Sequence, residues 1–519
     1  MNAAKRTDPK PLNQESRMFP SLPNIIRAAA LPAAATAFIA GLLLPMAARA
    51  QAASGSGAEA KTDSSQASEA APTVESLDEK IRILERKLEL KDEDDDKKKS
   101  ENATVTAGKD GFSIVSADKE SALKFKFFQH IDGRAFFEDA GNKLPNTLLI
   151  RRVRPVWEGT LAKYYNFRIM PEFSGTFQIL DAYSEIAFLP EARLRVGKSK
   201  TPIGLERLKS SQDMDIIEFA HPTSLTPNYD LGVSLLGDLL DESLSYYIGV
   251  FNGAVDGTSR DVDLNDHKDI DGRIFALPFK SGNLDLLRNL GIGFAASWGH
   301  KEGDPANLEL PAYRTEGQQS FFSYRTLADK AAVAANAATG VKAAAAVIGD
   351  TGTVRAFGDG YRLNPQGYWY YGPFGLSGEY IVSSQEVVKG GALAEGPKAL
   401  ATSAWQATVN YVVTGESPSF KGLKPRHSLS FTEPGSYGAL ELVGRVSGIS
   451  IDEAAFPDYA DVNKSAKSAT SYTAGFNWYL SRYLKLSADY EWTKFDGGAP
   501  LAQDRPEEKV FFSRIQTSF

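Results

Sequence analysis

From about residue 120 onward, apolar and polar positions alternate with a period of two. In LKLSADYEW, Leu484, Leu486, Ala488, Tyr490 and Trp492 fall on one face, and Lys485, Ser487, Asp489 and Glu491 on the other. In WQATVNYV, Trp405, Ala407, Val409 and Tyr411 oppose Gln406, Thr408 and Asn410. In ALELVGRVSG, Leu440, Leu442 and Val446 oppose Glu441 and Arg445. Such alternation predicts strands with one apolar and one polar face. A soluble sandwich alternates too, but here the polar faces carry several charges per strand. The segments also run about ten residues or more, the length of a tilted membrane strand. Sixteen segments of this kind can be marked: 122–137, 146–161, 164–175, 178–188, 191–200, 230–239, 243–253, 270–279, 289–299, 364–372, 374–386, 402–413, 437–449, 470–480, 483–495 and 508–519. They predict an all-β fold, a 16-stranded antiparallel transmembrane β-barrel over residues 120–519.

The connections support that geometry. Short links follow the even-numbered segments (KYYN, PEA, DES, GPFG, LSRY). Longer ones follow odd-numbered segments, notably 201–229, 254–269, 300–363, 387–401, 450–469 and 496–507. An even strand count with short turns at one end and long loops at the other is the plan of an outer-membrane barrel, with both chain ends on the periplasmic side. Two links, 280–288 and 414–436, are long for turns. The longest loop contains the Ala-rich stretch 328–349, which favours helix. It reads either as a cap over the mouth or as a surface insertion. Phe321, Phe322 and Tyr324 just before it are placed to anchor the loop to the barrel rim.

Ahead of the barrel the pattern changes. Arg27, the apolar run AALPAAATAFIAGLLLPM and the small residues Ala48-Arg49-Ala50 make 1–50 a secretory signal peptide with cleavage after Ala50. The alternative is an uncleaved anchor. A largely polar stretch of seventeen residues precedes Met18, which is a candidate true start. Residues 51–73 are a flexible linker of Ala, Ser, Gly and charge. Val74, Leu77, Ile81, Leu84 and Leu88 recur at spacings of 3, 4, 3 and 4, which predicts a short periplasmic coiled-coil helix over 74–90. A helix packed on its own barrel fits the same seam. Residues 91–119, opening with KDEDDDKKKS, read as a charged linker.

Composition then removes whole classes of function. With no cysteine there is no disulfide framework, zinc ribbon or thiol nucleophile. With 58 basic and 65 acidic residues, net −7, a nucleic-acid partner is excluded. The leader holds six basic and two acidic residues, so the mature chain is more acidic, at −11. One long apolar run, in the leader, rules out a polytopic helical membrane protein. Asp213-x-Asp215 is a candidate metal pair, but loop carboxylates are usually solvated or paired with arginine. Gly291-x-Gly293 lies within a strand and lacks the third glycine of a dinucleotide loop. The five histidines are scattered and no Ser/His/Asp spacing emerges. No catalysis, metal or cofactor is expected.

Several stretches point to a family. LRVGKSKTPIGLERLKSS (194–211), RLNPQGYWYYGPFGLSGEY (362–380), AGFNWYLSRYLKLSADYEWTKFDGG (474–498) and DRPEEKVFFSRIQTSF (504–519) resemble, in order, blocks of the phosphate-selective porin O and P family. The resemblance covers roughly 120–519. It implies a trimeric porin of the Gram-negative outer membrane, in contact with its lipid, with one pore per subunit. It implies that the loop Thr201 to Tyr229 folds into the barrel as a constriction, and that the terminal Phe519 is a membrane-insertion signal. It further implies an arginine ladder in the lumen, with lysines at the constriction.

On the alternation, Arg152 and Arg154 share a face with Glu158, while Arg151 falls on the other face with Leu149, Val153 and Trp157. Arg168, Arg193 and Arg195 continue the row, and these five form the candidate anion path. A guanidinium binds oxyanions bidentately and stays charged. Yet Glu172, Asp181, Glu185, Glu441, Asp489 and Glu491 point inward by the same alternation. The constriction loop sets Glu206, Asp213, Asp215 and Glu218 against Arg207 and Lys209, which is not a lysine-rich gate. The expected function is passive diffusion of small hydrophilic solutes, small anions among them, with phosphate preference left open. The competing expectation is a structural barrel that tethers or interacts through its coiled coil.

Overall fold

The computed structural model describes residues 74–108, 111–137, 144–263, 265–304, 306–326, 352–390 and 396–519. The leader, the linker 51–73 and the Ala-rich stretch 328–349 lie outside the described residues.

Sixteen strands form the barrel. They are β1 (Ala122–Phe137), β2 (Thr147–Leu161), β3 (Tyr165–Glu172), β4 (Gln178–Leu189), β5 (Ala192–Lys200), β6 (Tyr229–Leu239), β7 (Leu244–Phe251) and β8 (Asp269–Ala276). They continue as β9 (Leu290–Glu302), β10 (Val354–Tyr371), β11 (Phe374–Lys389), β12 (Lys398–Val412), β13 (Ala439–Ser450), β14 (Ala466–Tyr479), β15 (Leu484–Ala499) and β16 (Glu508–Ser518). Every strand pairs antiparallel with the next, and β16 pairs with β1, so no edge is left open in the ring. Each marked segment falls on one of these strands. The largest boundary difference is at β10, which starts ten residues earlier than the sequence pattern suggests. Its early part, with Gly358 and Gly360 and a register shift, breaks the alternation.

The two faces divide as the period of two requires. Trp405, Val409 and Tyr411 are exposed on the outside, while Gln406, Thr408 and Asn410 are buried within. Lys485, Ser487, Asp489 and Glu491 are buried on the inner wall of β15, as are Glu172, Asp181, Glu185 and Glu441 elsewhere. The outer apolar band needs lipid to cover it, since leaving so much apolar surface in water is costly. The tight turns obey local rules as well. Ala162 and Lys163 both adopt positive φ (46° and 66°), matching the twist of the strands that they join.

The ring closes on a charged pair. Arg514 of β16 stands opposite Asp132 of β1 and bonds it twice, through Nε (2.7 Å) and Nη2 (2.6 Å), with both side chains buried. At the short-turn end a hairpin of Thr104–Gly108 and Gly111–Val115 pairs with the start of β1. It occupies part of the stretch expected to be a linker. Phe519 lies there among Phe112, Phe125 and Phe127, with ring centroids 5.5 to 5.9 Å apart.

The helix α1 (Val74–Glu101) is longer than the seam alone implies, because it runs on through the charge run 91–101. That corrects the linker reading of those residues. Lys and Glu are good helix formers, so an exposed charged stretch can extend an existing helix. The seam residues Leu77, Ile81, Leu84 and Leu88 are all exposed.

Candidate functional site

The lumen is filled from three sides by chain that leaves the wall. The first is the segment 201–228, between β5 and β6. Gly204 (φ 86°) turns it inward, where a Cβ would come within 2.8 Å of the Thr226 methyl. A one-turn helix α2 (Leu205–Leu208) follows, and Glu379 on β11 accepts from the Leu205 and Glu206 N–H groups at 2.7 and 3.0 Å. Across the lumen, Asp489 accepts from the Ile217 N–H at 2.6 Å, and Lys485 donates to the carbonyls of Gln212 and Met214. Ile203, Leu205, Met214, Ile216, Ile217 and Leu225 are all buried. The polar wall thus satisfies the loop backbone, and its apolar side chains form a small core inside the barrel.

The second segment is 303–326, the described part of the longest loop. Tyr313, Phe321, Phe322 and Tyr324 are buried against Ile203 and Leu225 of the first loop and against wall residues such as Ala404, Ile449 and Phe495. The expected anchors therefore meet the wall at its long-loop end, where Val354, Leu400, Ile449 and Ala466 lie at or near the ends of β10, β12, β13 and β14 and receive them. The third is 413–438, one of the two links too long for a turn. Leu423 packs on Val412, Ala439 and Tyr479, and Phe420 stacks on Tyr368 of the inner wall, with centroids 5.3 Å apart. Lys209 of the first loop reaches over the Phe420 ring.

Between the first two segments and β2–β6 lies a cavity of about 570 Å³. Arg151, Arg152, Arg154, Lys200, Arg207 and Arg314 line it, together with Glu172, Glu218 and Glu316. Arg151 corrects the alternation. His130 pairs with Arg152 and Ile131 with Ile150, so Arg151 is skipped by the ladder. A bulge of this kind reorients one residue. It brings Arg151 to the inside, where its Nε lies 3.0 Å from Glu218.

Of the five arginines of the candidate anion path, carried on β2, β3 and β5, four are paired with carboxylates. Arg154 pairs with Glu172 (2.6 Å), Arg168 with Glu158 and Asp181 (2.6 and 2.8 Å), Arg193 with Asp238 (2.9 Å) and Arg195 with Glu185 (2.7 Å). Arg152 alone of the five has no carboxylate partner among the described residues. It touches His130 Nδ1 at 3.3 Å and the Phe219 ring at 5.8 Å, and its buried Nε has no hydrogen-bond partner.

The constriction residues split in the same way. Lys209 and Asp215 pair with each other at 2.7 Å, and Asp213 lies near Gly422 of the third segment. Glu206 bonds Arg445 (2.9 Å) and the Ala220 N–H. Glu218 is shared by Arg134 (2.7 Å) and Arg151. Burial pushes the Glu218 carboxyl up, but Arg151 and Arg134 outweigh it and hold it well below the usual carboxylate range. Arg207 has no carboxylate partner among the described residues. It donates to Thr226 Oγ1 and the Thr223 carbonyl and lies 4.8 Å from the centroid of Phe219. Burial pulls its guanidinium down to about 10, which leaves it charged at neutral pH. Burial pushes His221 down to about 4, so it is neutral there. Among the described residues no cluster could hold a metal ion.

The model of the family described as phosphate-selective porin O and P matches residues 126–519. The chain belongs to this family. The porin is similar, at 26% identity over 132 residues, to Porin O of Pseudomonas aeruginosa, a match spanning 25% of this chain and 29% of that relative's length. Among solved structures it is similar to the outer membrane channel DcaP of Acinetobacter baumannii (TM-score 0.46, 9% identity, 77% of this chain and 98% of that one). It is similar also to an anion-selective porin from Comamonas acidovorans (TM-score 0.45, 12% identity, 77% and 100%). As a porin it is an outer-membrane transport protein of Gram-negative type and not an enzyme.

Proposed function

We propose that the pore passes small hydrophilic solutes by passive diffusion and prefers anions as a class, without a special site for phosphate. The supporting observation is that Arg152, Arg207 and Arg314 line one cavity with no carboxylate bonded to them among the described residues, while the remaining arginines of the row are paired. Conduction needs charge that attracts but does not hold. Two buried guanidiniums, Arg152 and Arg207, with the exposed Arg314 beside them, satisfy the first condition. The nearby Glu172 and Glu218 weaken the field and so satisfy the second. A continuous phosphate ladder would need the other four arginines free as well.

Planar-bilayer reversal potentials in asymmetric potassium chloride test this. The wild type is expected to give an anion-selective potential. Arg152→Gln and Arg207→Gln are each expected to move it toward zero, and the pair further than either. A cation-selective wild type would sink the proposal.

We also place self-association in the reading. The exposed seam of α1 is two heptads long, too short to hold copies together alone but able to add to a homotrimer formed by the barrels. Deleting 74–90 is then expected to leave single-channel conductance intact and to lower the temperature at which the oligomer dissociates on a gel. Loss of conductance on that deletion would instead favour a helix packed on its own pore.

A further inference from the structure

The cavity is not polar all round. The second segment brings Leu310, Pro311 and Ala312 to its lining, immediately before Arg314, and the first brings Phe219. Leu310, Pro311 and Phe219 are only half-buried, and Ala312 and Arg314 are exposed. A lumen built for hydrated inorganic ions gains nothing from such a surface. An apolar wall cannot replace the water that an ion such as phosphate gives up. Concave sites that combine an apolar lining with a few fixed polar groups are the usual form of sites for organic ligands.

The cationic side has a matching peculiarity. Phe219 stands between Arg152 and Arg207, so its ring takes the place that a carboxylate would otherwise fill beside each guanidinium. The ring fixes both cations without neutralising them. Arg152 is almost fully buried, and its Nε lacks a hydrogen-bond acceptor. Arg152 nonetheless contributes to the cavity lining, so its charge faces the chamber without a carboxylate partner among the described residues. Charge and apolar surface therefore meet in one chamber, and its volume of about 570 Å³ exceeds what a small inorganic ion needs.

From this we infer that the constriction favours organic carboxylates with an aromatic or branched apolar body over inorganic anions and over small carboxylates. The inference rests on the anion preference proposed above and narrows it to a substrate class. The carboxylate end meets Arg152 and Arg207, and the apolar body lies toward Leu310, Pro311 and Ala312. No bond is made or broken. The solute exchanges part of its hydration for this surface and passes on.

The test is block of chloride current through the full porin in planar bilayers at pH 7.4, with benzoate, acetate and inorganic phosphate compared in the same membranes. Benzoate and acetate carry the same charge, so their difference isolates the apolar body. Benzoate is expected to block at about a tenfold lower concentration than acetate, a modest part of what full burial of a ring would supply. Leu310→Ser, which removes apolar surface but touches neither arginine, is expected to bring the benzoate-to-acetate ratio toward one. Equal block by benzoate and acetate in the wild type would overturn the inference, whether or not the variant assembles. Phosphate blocking more tightly than benzoate would overturn it too, while leaving the anion preference standing. A cation-selective reversal potential in those membranes would overturn both, and so separates the two failures.

Discussion

Arg445→Ala is expected to widen the pore and destabilise the barrel together. This one side chain on β13 holds two loops. Its Nη1 bonds Glu206 of the first segment at 2.9 Å, and its Nη2 donates to the Glu218 carbonyl at 2.9 Å and to Glu316 of the second segment. Ser447 adds a bond of 2.7 Å to the other oxygen of Glu316. Removing the guanidinium leaves two buried carboxylates without their main counter-charge, and breaking a buried pair from one side costs about 3–5 kcal/mol. The cheapest relief is for both loops to swing out and solvate the carboxylates. Single-channel recording should then show larger and noisier conductance, and the heat-modifiable band should convert at a lower temperature. Unchanged conductance with lowered stability would mean that Arg445 supports the wall alone. The double variant with Glu316→Gln should recover part of the stability, because one stranded charge is gone.

Asp132→Ala is expected to act on assembly and not on current. Asp132 and Arg514 join the first and last strands through two bonds, with both side chains almost wholly buried. Every other pair of neighbouring strands is consecutive along the chain, but this pair must be brought together from 382 residues apart. Without Asp132, Arg514 is a buried unpaired cation at the seam, again at a cost of about 3–5 kcal/mol. The yield of folded, heat-modifiable protein should fall sharply, while the molecules that do fold should conduct as the wild type does. Folding yield equal to wild type would show that the backbone pairing of β16 with β1 closes the ring unaided. Replacing both residues with a Leu/Met pair should restore much of the yield, since apolar substitutes for a buried ion pair are often tolerated.

The barrel was legible because alternation is a local property. Each of its strands presents one face to lipid and one inward, so residues such as Trp405 and Gln406 declare their faces by neighbours two positions away. The inward carboxylates Glu172, Asp181, Glu185, Glu441, Asp489 and Glu491 were legible for the same reason. The rule failed where the ladder slips: the bulge at Arg151 depends on how β2 meets β1, and nothing within LLIRRVRPV announces it. It also failed for the second and third inward segments. Leu310 to Gln318 and the stretch around Phe420 have no period, and their place in the lumen depends on wall residues far away in sequence. The unusual length of the 414–436 link was the one sign that something other than a turn stood there.

By itself, then, the amino-acid order determined the strand number, the face of nearly every wall residue and the presence of an arginine row. Those follow from backbone geometry that repeats every two residues, and from the free energy of matching an apolar band to lipid. Only the tertiary structure decided which of those arginines keep their charge available. Pairing is a matter of distance across neighbouring strands and between wall and loop. Arg154, Arg168, Arg193 and Arg195 each find a carboxylate within 3 Å, whereas Arg152 and Arg207 meet the Phe219 ring instead.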